Sequence, residues 1–405
     1  TDAAVVVDLE TQHDAADDAI SFTNVSDVTL NVQNGLYAVG GGAAPTVTLD
    51  DTSLAAGVVS DVVKSLTVNN TGVATDGTDN VVLGDVASSS RLETLNLNAT
   101  GAAVTVGTIA EAESFTNLNI DSAGGEVTVG AIGGAAASTG LSSINVTATE
   151  DVVLGAVDAN NIGGVANVTL AAANGDISGL VLTNDAGDID TVTLSGGGSI
   201  DATFNTVLLG SGTAGSTRAI NSTNTGSVNL TVSNAAAGGA GTVITLGDGA
   251  NTVTLHSSMN DAVTGGAGGD TVNLGAGANG RVGTNNVDLG DGTDVLNFDI
   301  ADAAEANGII INIGTSDAFL NGATGATAGS SDLVGAMTAY ARSNDTGNIG
   351  SGMVTTFTGV ERFVGTDQAD IMISGATGAN MNGAAGDDAI TGGGGADTIT
   401  GGEGQ

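Results

Sequence analysis

From Val28 onward the chain repeats a short phrase in which two aliphatic residues flank one polar residue. Val28/Leu30, Val47/Leu49, Leu66/Val68, Leu95/Leu97, Leu118/Ile120, Ile144/Val146, Val168/Leu170 and Val192/Leu194 obey this rule, and Ile220 continues the series. Alternation of period two puts every second side chain on one face of a strand. A second phrase interleaves with the first: "VVLG" from Val81, "VTVG" from Val104 and from Val127, "VVLG" from Val152 and "VLLG" from Val207. Gly, Asn, Asp, Ser and Thr lie between the phrases, and these are turn residues. Two short strands in about two dozen residues make one coil of a parallel β-helix, which buries its apolar side chains only by stacking on neighbouring coils. The alternative is a β-sandwich, which uses longer strands, core aromatics and hairpin turns.

From Leu246 the period shortens to nine. "LGDGANTVT" (246–254), "GGAGGDTVN" (265–273), "LGAGANGRV" (274–282) and "LGDGTDVLN" (289–297) share one frame, with Asn251, Asp270, Asn279 and Asp294 in sixth place. "GTDQADIMI" (365–373), "GAAGDDAIT" (383–391) and "GGGGADTIT" (392–400) form a second block, with Asp370, Asp388 and Asp397 in that place. Between the first two of these, "GATGANMN" (375–382) is one residue short and puts Asn380 where the acid is expected. The last three residues of such a unit read as a strand pointing one aliphatic side chain inward. The six before it read as a tight turn, in which glycine reaches torsions closed to other residues. Turn carbonyls that cannot all pair, and carboxylates stacked in rows, both call for a hard cation. Ca²⁺ accepts roughly six to eight oxygen ligands, whereas zinc prefers nitrogen and sulfur. Two His and no Cys leave zinc few ligands.

This frame resembles the RTX nonapeptide, G-G-x-G-x-D-x-U-x with U apolar, a known calcium-binding β-helix repeat. The resemblance implies that Asp270, Asp294, Asp370, Asp388 and Asp397 are ligands, together with carbonyls of the glycine turns (Gly266, Gly268, Gly386, Gly393, Gly395). It implies weakened or missing sites at Asn251, Asn279 and Asn380. Asp248 and Asp291, in third place, are auxiliary ligands or simply solvated turn acids. The phrase "GVE…GTxxAD", present here at 359–370, is similar to the lead-in of RTX runs.

The expected fold is all-β: a parallel β-helix or β-solenoid with RTX-type β-roll turns and one short helical insertion. Residues 1–60 and 61–245 read as solenoid coils, the second group irregular, and 246–300 as the first calcium block. A connecting segment, 301–363, holds the strand "GIIINIG" and a helix in "SSDLVGAMTAYAR" (330–342), and 364–405 is the second calcium block. Tyr340, Phe357 and Phe363 are expected to cover a coil edge.

Charge narrows the function. Against 45 Asp plus Glu stand 6 Lys plus Arg, a formal net charge of −39. Such a surface repels nucleic acid and anionic lipid and opposes its own compaction unless counter-ions intervene. Hydrophobic content of 41% argues against disorder. No apolar run approaches the ~18 residues of a membrane span. Absence of Cys is consistent with a bacterial secreted protein that does without disulfides. Thr1 begins mid-pattern and Gln405 stops mid-repeat, so the chain reads as a piece of a longer one.

A polysaccharide-modifying enzyme would need an acid–base constellation, yet His13 and His256, and Tyr37 and Tyr340, lie far apart in sequence. No enzymatic role is expected. The mixture of Ala/Thr/Val-rich coils with embedded nonapeptides resembles bacterial RTX S-layer proteins. That resemblance implies type I secretion, a cell-surface location and self-assembly through Ca²⁺. An RTX adhesin or ligand-binding stalk, with cell-surface polysaccharide as a partner, has nearly the same sequence character.

Overall fold

The computed structural model describes residues 4–9, 20–21, 25–33, 47–48, 63–73, 80–83, 92–109, 115–133, 141–158, 167–184, 191–206, 218–234, 240–257, 260–275, 284–298, 308–313, 339–343 and 354–404. Among them every regular element is a strand. The chain divides into two compact units, one formed by 1–208 with 224–226 and the other by 209–223 with 227–405.

In the first unit the long strands Ala4–Leu9, Asp27–Val32, Ser65–Asn70, Thr94–Ala99, Asn117–Ser122, Ser143–Ala148, Asn167–Ala172 and Thr191–Gly196 pair in parallel, in chain order. Register never slips in this run, so Leu66, Leu95, Leu118, Ile144, Val168 and Val192 fall on one line. A second parallel sheet joins Val81–Leu83, Val104–Val106, Val127–Val129, Val152–Leu154, Ile177–Asn184 and Ile200–Thr206. Its inward residues, such as Val104 and Val127, are as fully buried as Leu95 and Leu97. A thin aliphatic core results, in which each side chain meets its own counterparts one coil away.

Outward positions carry a different ladder. Asn69 Nδ2 donates to Asn31 Oδ1 at 2.8 Å and Asn98 Nδ2 to Asn69 Oδ1 at 2.7 Å. In the adjoining row Asn119 Nδ2 donates to Asn96 Oδ1, and Asn145 Nδ2 to Asn119 Oδ1, both at 2.9 Å. The amide is both donor and acceptor, so identical residues at strand spacing can chain without limit.

The place of Val47–Thr48 differs from the sequence expectation. Val47–Thr48 does not belong to the long-strand sheet; it pairs with Ile20–Ser21, while Asp27–Val32 pairs directly with Ser65–Asn70. The strand after Thr191–Gly196 is Ile200–Thr206, and the "VLLG" phrase from Val207 lies outside the described residues.

In the second unit one parallel sheet holds Arg218–Ser222, Ala240–Thr245, Asn260–Thr264, Thr284–Asp288 and Val354–Thr358. Its companion sheet holds Val228–Asn234, Thr252–Ser257, Thr271–Gly275, Val295–Asn297, Arg362–Val364, Asn380–Asn382 and Thr398–Thr400. Strand pairing runs through the positions at which the repeat style changes, since Ala240–Thr245 joins Asn260–Thr264 and Val295–Asn297 joins Arg362–Val364.

The connecting segment departs from expectation. Ala339–Ser343 is a strand, antiparallel both to Ile309–Asn312 and to Val354–Thr358. The predicted helix therefore does not reach Arg342, and 330–338 lie outside the described residues. Helix propensity is a weak preference, and two open strand edges offering backbone partners override it. Ile309–Asn312 is buried at all four positions, as the unbroken apolar run "III" requires of a strand covered on both faces. Phe357 and Phe363 are core residues rather than edge covers, 4% and 1% exposed, with ring centroids 5.0 Å apart.

A core built from single aliphatic side chains has no slack. Leu97→Ala is expected to cost about 2–5 kcal/mol, whereas Val73→Ala, at a position 85% exposed, stays within about 0.5 kcal/mol. Urea unfolding followed by circular dichroism checks this; equal midpoints for the two variants contradict the assignment of the core.

Candidate metal-binding corners

Among the described residues, the nonapeptides with Asn251, Asp270, Asp294, Asp370, Asp388 and Asp397 in sixth place each put that residue one position before a strand, where the backbone leaves a corner. There the side chain accepts a hydrogen bond from the backbone N–H of its counterpart one coil earlier. Val228 N–H donates to Asn251 Oδ1 (3.1 Å), Asn251 N–H to Asp270 Oδ1 (3.0 Å), Asp270 N–H to Asp294 Oδ1 (2.7 Å) and Asp294 N–H to Glu361 Oε2 (2.9 Å). On the opposite corner Ile309 N–H donates to Asp370 Oδ1 (2.7 Å), and Asp370 N–H to Asp388 Oδ1 (2.9 Å). Ala379 N–H donates to Asp397 Oδ1 at 3.0 Å. The strand ladder thus continues round the corner through carboxylates, and this takes most of the predicted acids out of water: Asp270 and Asp294 are 0% exposed and Asp370 is 1% exposed.

Glycine permits this closeness. A Cβ on Gly265, in first place, would stand 2.6 Å from Asp270 Oδ2; one on Gly365, Gly383 or Gly308 would also meet a corner carboxylate. Gly266 and Gly268 press on Gly247 and Gly249 of the previous coil, and Gly393 and Gly395 on Gly375 and Gly378. Glycines in second and fourth place are therefore spacers between stacked backbones, whether or not their carbonyls meet an ion. Gly386 combines close approach to Gln368 with a φ of 110°.

Burial sets the electrostatics. It pushes the Asp270 carboxyl above the ordinary range, against the pull of N–H groups from Asn251 and Gly266. Burial also raises Asp294, and the nearby Glu361, Asp270 and Asp291 carboxylates add to the rise. Asp370 is pushed up to about 7 by burial. Asp388 is raised by burial, with Asp387 contributing. Asp397 is lowered, because the Ser374 hydroxyl and Ala379 N–H stabilise its charge. Asp294 Oδ2 and Asp388 Oδ2 are buried without any hydrogen-bond donor. A buried carboxylate oxygen in that state calls for a proton or a cation.

Asp248 and Asp291 are exposed, in keeping with solvated turn acids, although Asp291 adds its charge to the Asp294 corner. Asn279 lies outside the described residues. Asn380 does not stand in the acid's place: it opens the strand Asn380–Asn382 in register with Arg362 and Thr398. Ala379 occupies the corner, and the frame from Asp370 through Ala379 to Asp388 and Asp397 is an unbroken nine. Ser374, not Gly375, holds first place in this unit.

Glu361 is the corner residue that sequence reading missed. It stands nine before Asp370 and one before Arg362–Val364, so the arithmetic was available. Asp261 and Asn285 were also missed; Thr242 N–H donates to Asp261 Oδ1 at 2.7 Å, and Asp261 N–H to Asn285 Oδ1 at 3.0 Å. They stand nine before Asp270 and Asp294, each two before an aliphatic residue (Val263, Val287), so the same spacing marks them.

Among the described residues no three His, Asp or Glu side chains converge as a ready-made metal cluster. An ion held here would draw on one or two carboxylates and on backbone oxygens, a donor set suited to Ca²⁺ and not to zinc. Compared with known proteins, the chain matches no protein-family model, no curated protein and no solved structure.

Raised carboxyl values make a signed prediction. A group whose folded value exceeds its unfolded one adds stability below the unfolded value and loses it as pH climbs through the folded one. For Asp370 that window runs from 3.8 to about 7, and Asp270, Asp294 and Asp388 act in the same direction. In chelated buffer the melting temperature should therefore fall between about pH 4.5 and about pH 7.5, and calcium should reduce the fall. A rise over that interval without metal contradicts the burial of these acids.

Proposed function

We propose that this protein is a calcium-dependent, self-assembling structural protein of the cell exterior, a component of a surface layer or filament whose main partner is another copy of itself. The observation that carries the reading is the Asp294 corner: a fully buried carboxylate with one donor-less oxygen, which also feels the charges of Glu361, Asp270 and Asp291. Asp294, Asp388 and the backbone oxygens of their turns are the groups that would hold the ion. Bound calcium would neutralise the buried charge and cross-link successive coils.

Charge supports the same reading at larger scale. Copies carrying −39 each repel one another, and divalent counter-ions both screen that repulsion and bridge carboxylates. Export before calcium is met would keep the corners open, so the folded form belongs where calcium is abundant, outside the cell. No catalytic step enters the proposal.

Electron microscopy of the purified chain with millimolar calcium, and again after EGTA, tests it. Sheets or filaments that form with calcium and disperse on chelation are expected. A protein that stays monomeric in calcium, above all one that binds a polysaccharide saturably as a monomer, overturns self-assembly in favour of an adhesin stalk.

A further inference from the structure

The corner acids share one frame but not one chemical state. In the corner 246–251 an amide replaces the acid, and Asn251 Nδ2 lies 3.0 Å from Gly247 O, 2.6 Å from Gly249 O and 2.9 Å from Asp270 Oδ1. That N–H₂ group supplies to two turn carbonyls and one carboxylate the positive partner that a cation would supply. Asp270 has its other oxygen taken by Gly266 N–H at 3.1 Å.

Hydroxyl groups do the same work elsewhere. Asp370 receives Thr366 Oγ1 at 2.9 Å and Thr366 N–H at 2.6 Å, besides Ile309 N–H. Asp397 receives Ser374 Oγ at 2.7 Å and Gly393 N–H at 3.0 Å. In all these corners both carboxylate oxygens are occupied.

The corners 289–294 and 383–388 are built differently. Their second residues, Gly290 and Ala384, are left-handed, with φ of 80° and 70°, and their fourth residues, Gly292 and Gly386, also have positive φ. Gly266, Thr366 and Gly393, which hold second place in the occupied corners, do not have positive φ. The changed backbone withholds the donor: Ala384 N–H goes to Asn382 Oδ1 at 3.2 Å, and nothing reaches Asp388 Oδ2 or Asp294 Oδ2. For alanine the left-handed conformation costs on the order of 1 kcal/mol or more, and such strain gathers at functional sites.

We propose that calcium is held at the corners 289–294 and 383–388, and that the corners at Asn251, Asp270, Asp370 and Asp397 close without an ion through amide, hydroxyl and N–H donors. This rests on the calcium reading above and divides the nonapeptides into two working classes. Repeat sequence alone would count every sixth-place acid as a ligand.

Calorimetric titration of the full chain with calcium, alongside D294N, D388N and D397N, tests the division. D294N and D388N should each lose one tightly bound calcium per molecule, and D397N none. Asn251 already occupies the equivalent place in a folded corner, so D294N should keep its β-sheet circular dichroism; should it not, D388N carries the same comparison. Loss of calcium in D397N equal to that in D294N, or no loss in D294N and D388N, overturns the division while leaving calcium binding intact. A wild-type chain that takes up no calcium overturns both readings together.

Discussion

A carboxylate removed from water must be met by hydrogen-bond donors, a proton or a cation, and the unit formed by 209–223 with 227–405 poses that demand at one corner after another. The ladder N–H of one coil engages one oxygen of the acid on the next. What happens to the second oxygen decides the state of the corner. At Asp270, Asp370 and Asp397 it takes the backbone N–H of Gly266, Thr366 and Gly393, while Asn251, Thr366 and Ser374 side chains add a donor to the first oxygen; at Asp294 and Asp388 nothing reaches it. Stability and pH response in this unit both descend from that one variable.

Glycine abundance follows from the same geometry. Successive corners stack backbone on backbone, and carboxylate oxygens lie where first-place side chains would otherwise stand, as at Gly265 and Asp270. The entropic cost of so many glycines is offset only where packing and polar contacts close the corner. The unit that holds 1–208 solves its corners more conventionally. Asp176 accepts Ser199 N–H at 2.7 Å while exposed to water, and its carboxyl value is lowered rather than raised. Exposed acids of this kind need no cation to balance them.

Within the coils, the aliphatic core and the outward Asn rows are two readouts of one property, unbroken register. Identical residues fall beside one another at strand spacing, so a side chain that packs or hydrogen-bonds with its own kind is repeated. The antiparallel strand Ala339–Ser343 is the described exception, set between Ile309–Asn312 and Val354–Thr358. It lets a segment remote in sequence, Ile309–Asn312, sit beside Ile371–Ile373 and deliver Ile309 N–H to Asp370.

Periodicity in the chain was enough to establish parallel strands, their inward residues and the positions of Asp270, Asp294, Asp370, Asp388 and Asp397 at corners, because period two and period nine are local properties of the backbone. It misplaced Val47–Thr48 and Asn380, since a phrase of two or three residues does not reveal its partner or survive a frame error of one. It passed over Glu361, whose role comes from Asp294 lying 67 residues earlier in sequence and one coil away in space. Helix formers near Arg342 pointed to a helix where two neighbouring strand edges impose a third strand. Above all, only the tertiary structure separates filled corners from open ones: that difference resides in left-handed backbone at Gly290 and Ala384 and in donors reaching across coils, and no residue type states either.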